Sequence, residues 1–155
     1  MLQNKFRLII SVIIVNIVTI SVFAQNTVDV NSSSWVSVQT IEGDNGLPST
    51  VYEIQNAPDG YYQFTDMQIT VMEGEIASSV KQGVWIYYVN GILSEKIEYL
   101  DGVQNGLYEA YYPNGQLRVQ CTFVDGEAHG SYIVYDTQGN ITMQNTMSNG
   151  LIIQE

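Results

Sequence analysis

Basic residues are scarce in this chain: five Lys and Arg stand against sixteen Asp and Glu in 155 residues. Such a surface repels phosphate, which argues against nucleic acid and anionic lipid head groups as partners, since both are held by clustered Lys and Arg. The one cysteine, Cys121, cannot form an internal disulfide, so stability has to come from strand pairing and aromatic packing. Inside a strand it reads as a small buried apolar residue, with an intermolecular bridge as the alternative. The one histidine, His129, rules out a multi-histidine metal site within one chain. It sits in Glu127-Ala128-His129-Gly130 with no recognisable nucleophile or orienting group, so it reads as a junction residue.

Other signatures are missing too. The glycines mark turns with no following helix, which excludes a phosphate-binding loop. Asp101, Asp125 and Asp136 lie beside Asn and Gly, but no 12-residue acidic loop surrounds them, so they read as turn formers and not as calcium ligands. The acid pairs Glu95 with Glu98 and Glu73 with Glu75 read as a solvated face. No catalytic residue, metal or cofactor is expected.

The long apolar run that is present lies at the start. Lys5 and Arg7 precede an almost unbroken apolar stretch over residues 8–23, and Val22-Phe23-Ala24 offers the small residues a signal peptidase reads. Residues 1–24 are therefore expected to be a cleavable helical signal peptide that exports the protein to the periplasm or beyond. An uncleaved membrane anchor is the alternative, weakened by Asn16 and Thr19 inside the run. Cleavage leaves only Lys81, Lys96 and Arg118 against the sixteen acids, a formal charge of −13.

What fills the C-terminal half is a repeat. Gly91, Gly115 and Gly139 are 24 residues apart, as are Gly102, Gly126 and Gly150, and Gly83, Gly106 and Gly130 open the units. Asn90-Gly91 and Pro113-Asn114-Gly115 are hairpin turns, because Gly and Asn accept positive φ and Pro presets the first corner. The segments between them are rich in Tyr, Trp, Val and Ile and too short for ordinary helices. Leu93, Ile97 and Tyr99 share one parity, repeated by Leu117, Cys121 and Phe123 and by Ile141, Asn145 and Met147. That parity is expected to be buried, with Ser94, Lys96, Glu98, Arg118, Gln120 and Thr122 facing solvent.

From opening glycine to turn glycine the first unit has nine residues and the other two have ten. Either a bulge or a hairpin loop one residue larger must absorb the difference, at the turn-proximal end of the strand.

Gly106-Leu107-Tyr108 followed by Tyr111-Tyr112-Pro113-Asn114-Gly115-Gln116-Leu117, with copies on either side, resembles the MORN-repeat variant family, which includes YwqK-type antitoxin proteins. The resemblance covers residues 83–150. It implies an all-β fold: an elongated, single-layer antiparallel sheet of successive β-hairpins that serves as an interaction scaffold and has no catalytic residues. The third unit departs from the pattern at Asp136 and Gln138, as a capping repeat would, and the export signal argues against a cytoplasmic antitoxin role.

The domain reading is then 1–24 signal peptide, 25–34 flexible lead, 35–82 an N-terminal β region that is a candidate degenerate repeat, and 83–155 three MORN-like hairpins. In the β region, strands are expected over 35–41, 51–55, 61–65 and 67–72. Gly74 is placed at the position of Gly102, and 75–82 is read as an enlarged loop. Trp85, Tyr87, Tyr88, Tyr108, Tyr111, Tyr112, Tyr132 and Tyr135 are expected to stack in ladders across the sheet and to form the candidate binding surface. The expected function is a non-catalytic scaffold for a protein partner, through that face or an unpaired edge. A carbohydrate or cell-wall binding accessory is the alternative.

Overall fold

The computed structural model describes residues 26–31, 33–42 and 48–153. The expected signal peptide and the loop over 43–47 lie outside the described residues.

The described chain is all-β. Twelve strands follow one another: β1 Asn26–Asp29, β2 Val36–Glu42, β3 Pro48–Ile54, β4 Gly60–Asp66, β5 Ile69–Ala77, β6 Val80–Val89, β7 Ile92–Leu100, β8 Val103–Tyr111, β9 Leu117–Val124, β10 Glu127–Tyr135, β11 Ile141–Ser148 and β12 Leu151–Ile153. Ten form one sheet in the order β1-β4-β5-β6-β7-β8-β9-β10-β11-β12. From β4 onward every strand pairs antiparallel with the next in sequence, and only β1 is parallel to its neighbour, β4. The hairpin β2–β3 makes a separate two-stranded sheet.

Turn chemistry explains the succession of hairpins. Six connections are two residues long with positive φ at both positions: Met67-Gln68, Ser78-Ser79, Asn90-Gly91, Asp101-Gly102, Asp125-Gly126 and Asn149-Gly150. This backbone twist matches that of the strands it joins. Successive turns on one side are tied together, because the amides of Gly102, Gly126 and Gly150 donate to the carbonyls of Lys81, Gln104 and Ala128 at 2.9–3.0 Å. The hairpins β8–β9 and β10–β11 instead have larger loops, in which Tyr112 N–H donates to the Gln116 carbonyl and Asp136 N–H to that of Asn140.

The one-residue irregularity is resolved by those loops. In all three units the register slips at the same place, leaving Ser94, Arg118 and Thr142 unpaired, so the bulge is common to short and long copies. The extra residue enlarges the turn around Pro113-Asn114-Gly115 and its counterpart.

Three expectations for the N-terminal region change. Residues 26–29 are not a free lead: they form β1, and Val28 is buried against the core. Met67 belongs to a turn, so β5 starts at Ile69. Gly74 sits mid-strand in β5, while Ser78-Ser79 holds the place of Asp101-Gly102, and 75–82 is strand, turn and strand. The indole of Trp85 lies directly over Gly74, where any Cβ would collide with it. The hairpin β4–β5 also carries the repeat's bulge, at Val71.

The single layer holds only for the C-terminal part. At the N-terminal end Trp35, Val36, Tyr52 and Ile54, on or beside β2–β3, pack on a core of Val28, Val30, Ala57, Tyr62, Phe64, Met72, Ile76 and Trp85. Beyond it the buried side chains are Ile97, Ala110, Val119 and Cys121, and none lies in β10, β11 or β12.

Candidate binding face

Directly opposed residues of an antiparallel pair project from the same side of the sheet. The registers Met72↔Tyr87, Trp85↔Ile97, Ile97↔Tyr108, Tyr108↔Cys121, Cys121↔Tyr132 and Tyr132↔Asn145 therefore trace one continuous face. Phe64, Met72, Ile76 and Lys81 lie on it as well, through Phe64↔Met72 and Ile76↔Lys81. The hairpin β2–β3 covers its N-terminal end. At its C-terminal end the equivalent positions emerge, with Met143 50% and Ile152 58% exposed.

The expected aromatic ladders run differently from the sequence reading. Ring contacts link Trp35, Tyr62, Phe64, Trp85 and Tyr87 in series at 5.6–6.4 Å between centroids, and a separate edge contact joins Tyr108 to Phe123 at 5.8 Å. Tyr111, Tyr112, Tyr132 and Tyr135 enter none of these contacts among the described residues. Trp85 is wholly buried and donates its indole N–H to the Glu75 carbonyl at 2.9 Å. It is a core residue and cannot present itself to a partner.

The remaining tyrosines are half-buried, and acids engage many of their hydroxyls. Tyr88 donates to Glu73 at 2.6 Å, Tyr108 to Glu95 at 3.2 Å and Tyr111 to Glu109 at 2.6 Å. Burial and then the carboxylate partner push Tyr88 and Tyr111 up to about 12, and burial with the charge of Glu95 raises Tyr108 as well. Tyr112 donates instead to the Tyr135 carbonyl at 2.9 Å, tying the second unit to the third. Glu73, Glu95 and Glu109 thus have a structural role: they accept hydrogen bonds from tyrosine hydroxyls. Glu98 likewise accepts the Leu107 amide at 2.8 Å beside the kink at Gly106.

Two of the candidate turn acids accept hydrogen bonds, Asp125 from the Asn105 side chain and Asp136 within its own loop. Asp136 accepts the amides of Gln138 and Asn140 and the side-chain amide of Asn140 at 2.8–2.9 Å, which lowers its pKa. Among the described residues no group of three or more His, Cys, Asp and Glu is placed to hold a metal ion. His129 is exposed on β10. Cys121 is 3% exposed, and burial pushes its thiol up to about 11, so it is a packed side chain and not a nucleophile.

The most unusual group is one the sequence reading passed over. Lys81 places its ammonium 4.9 Å from the centre of the Trp85 ring and 5.2 Å from those of Tyr87 and Tyr99. It donates to the Tyr87 hydroxyl at 2.8 Å, and the Tyr87 and Tyr99 hydroxyls bond to each other at 3.1 Å. Burial pulls its pKa down to about 8. A cleft of about 350 Å³ opens beside it where β2–β3 ends, walled by Tyr52, Val71, Tyr87, Tyr88, Tyr99 and Glu95 among others.

The unit β8–β9 combines an opening bulge at Gly106, the shared second bulge at Arg118 and a Pro-Asn-Gly loop. Residues 104–125 match the MORN repeat variant. This MORN match spans nearly all of β8, the loop and β9, and the hairpins on either side repeat its bulge. Comparison with curated proteins gives no match.

Proposed function

We propose that this protein is an exported, non-catalytic MORN-type scaffold that docks a protein partner on the uncovered C-terminal end of its sheet. One observation carries the reading: among the described residues the face that is core under β2–β3 continues without a covering layer to Met143 and Ile152, which are 50% and 58% exposed. Apolar side chains in that position are what a partner's side chains would cover. The edge adds a second attachment, because β12 pairs only with residues 146–148 of β11 and, among the described residues, no strand pairs with the rest of that outer edge. No charged residue occurs over 137–153, so this end of an acidic molecule offers contact free of charge repulsion.

The test is site-specific photocrosslinking from position 143 or 152 of the full chain in its native envelope, with position 129 as control. A single protein crosslinked from 143 and 152 but not from 129 supports the scaffold. Crosslinks to glycan alone, or none at any position, overturn it, and recovery of the chain in the cytoplasm overturns export.

A further inference from the structure

The Lys81 ammonium is enclosed by three rings and a tyrosine hydroxyl. An ammonium in an apolar surround is disfavoured unless an anion offsets the lost hydration. Here rings do some of that work, at 4.9–5.2 Å from three ring centres. The Tyr87 hydroxyl oxygen accepts a hydrogen bond from one of the ammonium's three N–H groups. No ion pair to Lys81 occurs among the described residues, in a chain with sixteen acids to choose from. Glu53 of β3 and Glu95 of β7 line the two adjoining hollows, but Glu95 accepts the Tyr108 hydroxyl and Glu53 accepts that of Ser37.

The space beside this amine has a definite character. The hollow of about 350 Å³ shares Tyr52, Lys81 and Tyr99 with a second, of about 240 Å³, lined by Glu53 and Ile54 of β3 and by Gly102. Tyrosine rings wall it, Val71 and Ile97 add apolar surface, and the Ser94 hydroxyl offers a polar contact. The hollow holds one cation, Lys81, and one carboxylate, Glu95, which accepts the Tyr108 hydroxyl; the ring walls suit a flat ligand whose single negative charge is set on the Lys81 side, away from Glu95. A neutral ring would leave the ammonium uncompensated, and a phosphate would bring more charge than one lysine balances.

We propose that the cleft at the end of the β2–β3 layer binds a small ligand made of a ring and a carboxylate, the carboxylate pairing with the Lys81 ammonium and the ring lying on the tyrosine walls. A sugar acid and an aromatic amino acid with a free carboxylate both have this chemistry. The site lies apart from the C-terminal face assigned to a protein partner, so either reading can fail without the other.

The full chain, held in mild detergent and labelled with ¹³C-lysine, carries only Lys5, Lys81 and Lys96 as signals. It is titrated with D-glucuronate, with N-acetyl-L-phenylalanine and with D-glucose. The expected result is saturable binding of at least one of the acids, a rise of about one unit in the Lys81 titration midpoint on saturation, and no response to glucose. Lys81→Met, which keeps the apolar stem in the ring cage, should bind at least tenfold more weakly. Lys96→Met makes the same substitution on β7 outside both hollows and should retain binding, which controls for damage to the fold. Response to glucuronate alone names a sugar acid as the source, and response to N-acetylphenylalanine alone names an aromatic acid. The proposal is overturned if neither acid moves the Lys81 titration, if glucose moves it equally, or if Lys81→Met binds as well as the native chain.

Discussion

The two ends of this sheet are built from the same hairpin and stabilised differently. From β4 to β6 the hairpins share a core with a second layer, and Phe64, Met72, Ile76 and Trp85 are almost wholly removed from water. From β10 to β12 the same bulge recurs, with one larger loop and one two-residue turn, and no side chain is buried. Hairpin geometry is therefore set by turn and strand sequence alone, whereas stability depends on what lies on the face. In a repeat protein of this kind each unit is held by its neighbours, so the C-terminal hairpins depend on the N-terminal core through the ladder between them.

The sharpest way to break the comparison is to remove the same ring position at each end. Trp85→Ala should cost about 3–5 kcal/mol in a urea titration, as large aromatic truncations in a packed core do. Tyr132→Ala, at the equivalent position of the third unit, should cost about 1 kcal/mol. Equal losses would mean that the third unit is covered in solution. Next comes Gly74→Ala, which pushes a methyl into the indole of Trp85 and should cost about 1–3 kcal/mol. Combining it with Trp85→Ala should bring no further loss of that size, because the collision is gone.

A smaller effect is confined to the N-terminal half and visible only in its pH dependence. The pKa of Lys81 is lowered in the folded state from 10.5 to about 8, so between those values the unfolded chain binds more protons and stability rises with pH. Above about pH 10 the tyrosines with raised pKa values, Tyr88 and Tyr111 among them, act oppositely, since they ionise first in the unfolded chain. Thermal melting of the native chain should therefore improve from pH 8 toward 10 and then fall, and Lys81→Met should lose the rise. The smallest effect belongs to the far edge: Ile152→Lys should change stability by less than about 0.5 kcal/mol while abolishing crosslinking to a partner from position 143.

Much of the C-terminal half was legible because its turns are written in Asn, Asp, Pro and Gly, residues chosen for backbone reasons that survive without tertiary context. The hairpin β4–β5 was harder to read, since Met67-Gln68 and Ser78-Ser79 take the same positive φ with side chains that give no such signal. Gly74 did carry a signal, that of a glycine inside a strand run, and its cause was close approach of Trp85 and not a turn. Of the candidate surface, the sequence named the tyrosines but not their carboxylate acceptors: Glu73 and Glu95 lie across strand pairs from Tyr88 and Tyr108, and Glu109 lies two residues before Tyr111 on its own strand. Lys81 was missed for a related reason. Its three rings come from residues 85, 87 and 99, on two strands, and the third is brought to it only by the pairing of β6 with β7.

The strand order places β1 at one edge of the sheet and β12 at the other. A pull between the two ends of the described chain would therefore act across the strands, along the line of the ladder hydrogen bonds. Loaded in that direction, the bonds break strand by strand and not all at once, beginning with the three-residue β12 and the uncovered hairpin behind it. A chain fixed at its N-terminal side and seized at its far edge would release length hairpin by hairpin, with the aromatic core as the last element to give way.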